Sequence, residues 1–98
     1  MELKNTVQGM CSSDYKERFC AEYCQLKIRY EKLKATNVKY IAGKLTFTPN
    51  CSLELLKKQQ SLMGQLLEVL EVRALIEGVE LPKVDFVDDQ PIKVSKIE

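Results

Sequence analysis

The sequence predicts an all-α chain: an antiparallel two-helix hairpin with extended terminal tails, assembling as a helical oligomer. Three observations carry this. Apolar residues recur at helical steps over two long segments, a glycine stands just past each, and the second segment has more apolar surface than one partner helix covers. The hairpin domain takes residues 13–78, with helices over about 13–41 and 52–77, an N-terminal extension over 1–12 and an extended C-terminal tail over 79–98.

The first helix opens at Ser12-Ser13-Asp14. Ser13 is read as its N-cap, and Asp14 and Glu17 place negative charge in the first turn, where the helix dipole favours it. Phe19, Tyr23, Leu26, Tyr30 and Leu33 then recur at alternating steps of 4 and 3. They fall within roughly 80° of arc, a narrow seam of the coiled-coil kind, and Tyr15 extends it one turn upstream. The pattern weakens at Ala35-Thr36-Asn37, Val38 to Ile41 carry the helix on, and Gly43 ends it.

Residues 43–50 form the connection. Leu45 and Phe47 alternate with Lys44, Thr46 and Thr48 as in a short extended piece, and Pro49 keeps Thr48 out of the helical region. Phe47 is expected to tuck over the end of the hairpin.

The second helix starts near Ser52, has Glu54 in its first turn and stops at Gly78. Leu56, Met63, Leu67, Leu70 and Ala74 form one seam within about 60° of arc. Leu55, Leu62, Leu66, Val69 and Ile76 lie immediately beside it, and the two sets together span about half the circumference. One antiparallel partner covers only the first set. Truncating a fully buried leucine typically costs ~2–5 kcal/mol, so leaving this second stripe in water is a liability. The stripe is therefore expected to meet other copies of the chain; the competing arrangement folds the tails over it. Residues 79–98 carry Pro82 and Pro91 and hold no helical period.

Composition narrows the chemistry. Of 98 residues 45% are hydrophobic and 30% charged, an ordinary globular balance. No stretch approaches the ~20 apolar residues of a spanning helix, so no membrane partner is expected. The first residues hold no apolar signal-peptide core, which points to the cytoplasm. With 15 basic and 14 acidic residues the chain is not a polycation, so no nucleic-acid polymer is expected as partner. There is no histidine, which removes the commonest general base and metal ligand. No metal, cofactor or catalytic residue is expected, and the chain reads as a non-enzyme. The spacing of Cys11, Cys20, Cys24 and Cys51 matches no zinc pattern; they read as free thiols, small buried or half-buried side chains. The glycines are isolated, so there is no phosphate-cradling loop.

Charge is uneven along the chain. Six basic residues between Lys27 and Lys44 stand against Glu31, and seven acidic residues between Glu68 and Asp89 against Arg73 and Lys83. Either the two blocks offset one another across the hairpin, or the basic one forms an anion site. Lys16, Lys27 and Lys34 align on one flank of the tyrosine seam, about 40–60° from its centre, where lysines keep their stems packed and their ammonium groups wet. Lysine beside tyrosine supplies phosphate neutralisation and a platform for a base. Tyrosines at this spacing are commonly core, and Tyr15, at the helix start, is the freest to stack. Arg73 stands at the edge of the apolar stripes as an interface or ion-pairing residue within reach of a ligand. The candidate ligand residues are thus Tyr15, Lys16, Tyr23, Lys27, Lys34 and Arg73.

The run Asp14-Tyr15-Lys16-Glu17-Arg18-Phe19, with Ala21-Glu22-Tyr23, Arg29-Tyr30-Glu31-Lys32-Leu33, Phe47-Thr48-Pro49-Asn50-Cys51, Glu54-Leu55-Leu56, Gln59, Met63-Gly64, Leu70-Glu71-Val72-Arg73-Ala74 and Ile76-Glu77-Gly78, resembles a family of small proteins of crAss-like, Bacteroides-infecting phages. That family is similar to the hairpin superfamily of phage anti-CBASS and anti-Thoeris cyclic-nucleotide sponges. The resemblance spans about residues 14–81. It implies a helical hairpin assembled into homo-oligomers, hexamers in well-known sponges. These bind cyclic oligonucleotide or cyclic ADP-ribose signals at subunit junctions, uncleaved, in the host cytoplasm. Tyrosine and lysine of the first helix contact base and phosphate in some members, which implies Tyr15 and the Lys16, Lys27 and Lys34 line here. The spacing leads one to expect an aromatic at position 66, where this chain has Leu66. The expected function is signal sequestration; the competing one is an oligomeric protein-binding module that inhibits a host factor through its apolar face.

Overall fold

The computed structural model describes residues 1–84. A 3₁₀ turn, Leu3–Thr6, leads into α1 (Val7–Met10), followed by the long helices α2 (Tyr15–Ala42) and α3 (Leu53–Glu77). Among the described residues there is no strand.

Capping chemistry explains the boundaries. Asp14, not the expected Ser13, caps α2: its backbone is extended and its Oδ1 accepts from the Lys16 amide at 3.0 Å. Ser12 takes a supporting part, its Oγ accepting from the Asp14 amide at 3.0 Å and donating to Glu17. Ser52 caps α3, its Oγ accepting from the Leu55 amide at 3.2 Å. Gly43 and Gly78 end the two helices at φ 71° and 72°, a left-handed conformation that costs a side-chain-bearing residue roughly 1–2 kcal/mol.

The long helices run antiparallel, as cross-contacts in opposite order show: Tyr15 with Glu77, Tyr23 with Glu71, Tyr30 against Gly64, and Asn37 with Gln60 and Leu56. Phe19, Tyr23, Cys24, Leu67, Leu70, Ala74 and Val79 form the buried core, with Leu26, Tyr30, Leu81 and Val84 packed around it. The narrow seam of the first helix and the first seam of the second therefore meet as the periodicity predicts. Gly64 lets the helices close at this crossing, since an added Cβ would stand 3.3 Å from the Tyr30 ring.

Three further expectations are corrected. The first ten residues do not extend freely. Their two short helical turns pack on the face of α2 opposite the seam, where Ala21, Cys24 and Ile28 are buried. The close approach depends on Gly9, whose missing Cβ would sit 2.9 Å from that of Ala21. Thr6 is buried alongside, its hydroxyl donating to the Leu3 carbonyl at 2.7 Å. Second, Phe47 does not cover the hairpin end but is 49% exposed. Bends at 46–47 break the alternation, so Leu45 turns partly inward while Phe47 faces water. Third, Cys20 and Cys24 are half-buried and buried, but Cys11 and Cys51 are exposed, being outside the packed parts of the helices. Residues 79–84 run back along the core; the rest of the tail, with Phe86, Asp88 and Asp89, lies outside the described residues.

Asn37 is a polar residue in the seam, 2% exposed. Its Nδ2 donates to Gln60 Oε1 at 2.9 Å and to the Leu56 carbonyl at 3.3 Å, while its Oδ1 has no partner. Asn37→Leu keeps the branching at Cγ and removes the orphaned oxygen. The two lost hydrogen bonds, about 1 kcal/mol each, are offset by about 2 kcal/mol of new apolar burial and by the oxygen's removal. The Leu56 carbonyl keeps its helical partner and half-buried Gln60 turns to water. The expected result is a urea midpoint at or above that of the parent; a loss of more than about 1 kcal/mol would refute this account of the site.

Candidate ligand-binding site

The antiparallel register decides which candidate residues meet. At about 1.5 Å per residue, Lys16, Lys27 and Lys34 spread over roughly 27 Å along α2. Within one chain they do not converge on one small ligand. Instead they divide between the open end of the hairpin, its middle and the turns toward the loop.

At the open end, the first turn of α2 faces the last turn of α3. The Tyr15 hydroxyl donates to Glu77 Oε1 at 2.5 Å. Arg73 donates to the same carboxylate twice, Nε to Oε2 at 2.7 Å and Nη2 to Oε1 at 3.2 Å. The Arg73 guanidinium lies 4.8 Å from the centroid of the Phe19 ring, which braces it from below. Lys16 reaches the carbonyl of Gly78, the next residue, at 3.4 Å. Tyr15 and Arg73 thus meet at one carboxylate, with Lys16 at the neighbouring Gly78 carbonyl. Glu77 was not among the candidates. Its i,i+4 spacing from Arg73 was legible, and the antiparallel pairing that brings Tyr15 to it follows from the hairpin.

In the middle, Tyr23 is a core residue, with its hydroxyl donating to Glu71 at 2.8 Å. Burial first, and that hydrogen bond second, push its phenol up to about 12. Lys27 pairs with Glu31 at 3.1 Å and stands 5.8 Å from the Tyr30 ring centroid. The groove it lines also holds Glu68 and Glu71, so in one chain this groove carries more acid than base. Lys34 is exposed farther toward the loop.

The charge blocks offset one another only in part, at the groove where Lys27 meets Glu68 and Glu71. The basic block on α2 lies opposite the first half of α3, which adds Lys57 and Lys58, whereas Glu71, Glu77 and Glu80 sit beside the start of α2. The register leaves the loop end basic.

Arg73 holds the Glu77 carboxyl below the usual carboxylate range, with Tyr15 adding to it, and the same bond raises the Tyr15 phenol. A depressed folded-state carboxyl stabilises the native chain above the ordinary value of about 4.3, and this is lost as pH falls through the lower folded value. Arg73→Gln should therefore move the Glu77 carboxyl midpoint up by more than Tyr15→Phe does, as read by carbon-detected NMR titration. The reverse order would show that the hydroxyl, not the guanidinium, holds the charge.

Among the described residues no element covers the predicted apolar stripe. Leu55, Leu62, Leu66, Val69 and Ile76 are between 44% and 78% exposed, and Val72 widens the patch. The N-terminal turns contact α2 and do not reach α3, and residues 79–84 lie against the core. Arg73 stands on this stripe, one turn from Val69 and three residues before Ile76. Among the described residues no helix is long and apolar enough to cross a membrane.

The family model described as Sequestin matches residues 13–76, which takes in both long helices and the loop between them. No curated protein and no solved structure matches the chain.

Proposed function

The chain belongs to the Sequestin family, and from that premise we propose that it is a phage-encoded sponge for a cyclic nucleotide immune signal. The family name denotes sequestration. The ligand is a cyclic oligonucleotide or a cyclic ADP-ribose-type molecule, held uncleaved by a homo-oligomer, with a hexamer favoured, in the host cytoplasm. The protein is not an enzyme in this reading: it binds the signal and keeps it from its effector by mass action.

One observation supports this most: Arg73, braced on Phe19 and within one carboxylate of Tyr15, stands on an exposed apolar stripe. A second copy seated on that stripe roofs the cationic and aromatic groups and closes a junction around an anion. Lys27 and Lys34 reach such a junction only from a neighbouring copy's side, which suits a ligand held between subunits.

The test is a thermal-shift screen of purified protein with cyclic dinucleotides, cyclic trinucleotides and cyclic ADP-ribose isomers, combined with light scattering. At a free ligand concentration of about 100 times Kd the native state gains about 2.7 kcal/mol, a clear rise in Tm. Heating should return the ligand intact. If no signal binds and the chain scatters as a monomer with its stripe open, the protein-binding module becomes the better reading.

A further inference from the structure

We propose that Glu77 is a resident counter-ion occupying the place of a ligand phosphate, so that binding at the open end is an exchange of carboxylate for phosphate. This rests on the sponge reading, which it deepens by naming the anion-binding atoms and the group that gates them.

The geometry is that of a receptor already closed on an anion. Arg73 grips both Glu77 oxygens in the planar fork that also fits two phosphate oxygens. Tyr15, from the other helix, completes the grip at 2.5 Å, and Lys16 stands at the adjoining residue, Gly78. The guanidinium is held over Phe19 whichever anion it binds. An ordinary i,i+4 ion pair on a helix surface needs neither the second helix nor the aromatic floor.

Glu77 is also a poor permanent occupant. It is the last residue of α3, where the negative end of the helix dipole disfavours a carboxylate, so that Arg73 and Tyr15 hold it there against the dipole. A phosphate has a fuller charge and three acceptor oxygens for the same donors. It arrives from the stripe side, beside the first turn of α2, whose dipole end favours an anion. The displaced Glu77 side chain turns to water, to which it is already partly exposed. Two consequences follow: the gate excludes weak monoanions, and its removal strengthens binding.

The experiment compares the parent with Glu77→Gln, Tyr15→Phe and Arg73→Gln, using inorganic pyrophosphate and, separately, the cyclic dinucleotide panel. The readouts are the Arg73 Nε–Hε NMR signal and the Kd at low salt. Pyrophosphate should shift that signal in the parent. Glu77→Gln should tighten binding about 5- to 10-fold by freeing the guanidinium, Tyr15→Phe should weaken it, and Arg73→Gln should abolish it. A Glu77→Gln protein that is folded by circular dichroism and binds no more tightly than the parent overturns the exchange; so does a parent whose Arg73 signal ignores pyrophosphate. If pyrophosphate follows the expected order while no cyclic nucleotide binds, the exchange stands and the sponge reading falls.

Discussion

Leu62→Glu combined with Leu66→Glu should turn the proposed homo-oligomer into a folded monomer. Within one chain these side chains are 55% and 44% exposed and belong to no core cluster, so their replacement removes little from the hairpin itself. In an assembly the exposed half of each contributes about 0.8–1.5 kcal/mol of apolar burial. Losing both from a junction lowers association by roughly 10- to 10²-fold, before the larger cost of confining two carboxylates is counted. Light scattering should fall to the mass of one chain while the helical circular dichroism is unchanged. The Tm rise with a bound signal should vanish as well, because the proposed junction is no longer closed. A double variant that scatters like the parent would place the subunit contact elsewhere and remove the physical basis of the proposed site.

How far the sequence reveals this depends on which interactions are local. The ends of the long helices are legible because single residues make them: Gly43, Gly78 and Ser52 do in space what their types imply. The seam is legible because the 3.6-residue period carries it, and so is the stripe beside it. The N-terminal turns are not. A helix of four residues is marginal without packing, and what stabilises it is the contact of Gly9 with Ala21, two small residues with no pattern between them. A hint was present in Ala21, Cys24 and Ile28, which share a face of α2 opposite the seam. The charge blocks show the same limit: their sizes are visible in the chain, but only the register reveals that they face different partners. For the site, Tyr15 and Arg73 are separate candidates in the sequence, and their convergence on Glu77 is a property of the pairing. Tyr23 was a candidate by type, while its depth and its bond to Glu71 are visible only in space.

Leu70→Ala should have the largest effect on the fold. Leu70 is 2% exposed and sits in the cluster with Phe19, Tyr23 and Ala74. Truncation costs about 2–5 kcal/mol through lost transfer energy and the cavity left behind. A domain of this size has on the order of 5–15 kcal/mol in total, and each kcal/mol moves Tm by roughly 4–8 °C. A fall of about 10–30 °C is therefore expected, read by thermal or urea unfolding. Leu75→Ala is the control: the same chemistry at a position 86% exposed should stay within about 0.5 kcal/mol. Leu75 lies off the stripe, so its truncation should also leave the mass in solution unchanged, whereas Leu62 and Leu66 change the mass and Leu70 changes the stability. If folding and assembly are coupled, the Leu70→Ala Tm will rise with protein concentration, because the native state is then drawn off into the oligomer. A Tm independent of concentration in a protein that remains assembled would mean that the hairpin stands on its own core, here that of Phe19, Leu67 and Leu70. Equal losses at positions 70 and 75 would contradict the packing of α3 on α2 and, with it, the exposed face on which Arg73 stands.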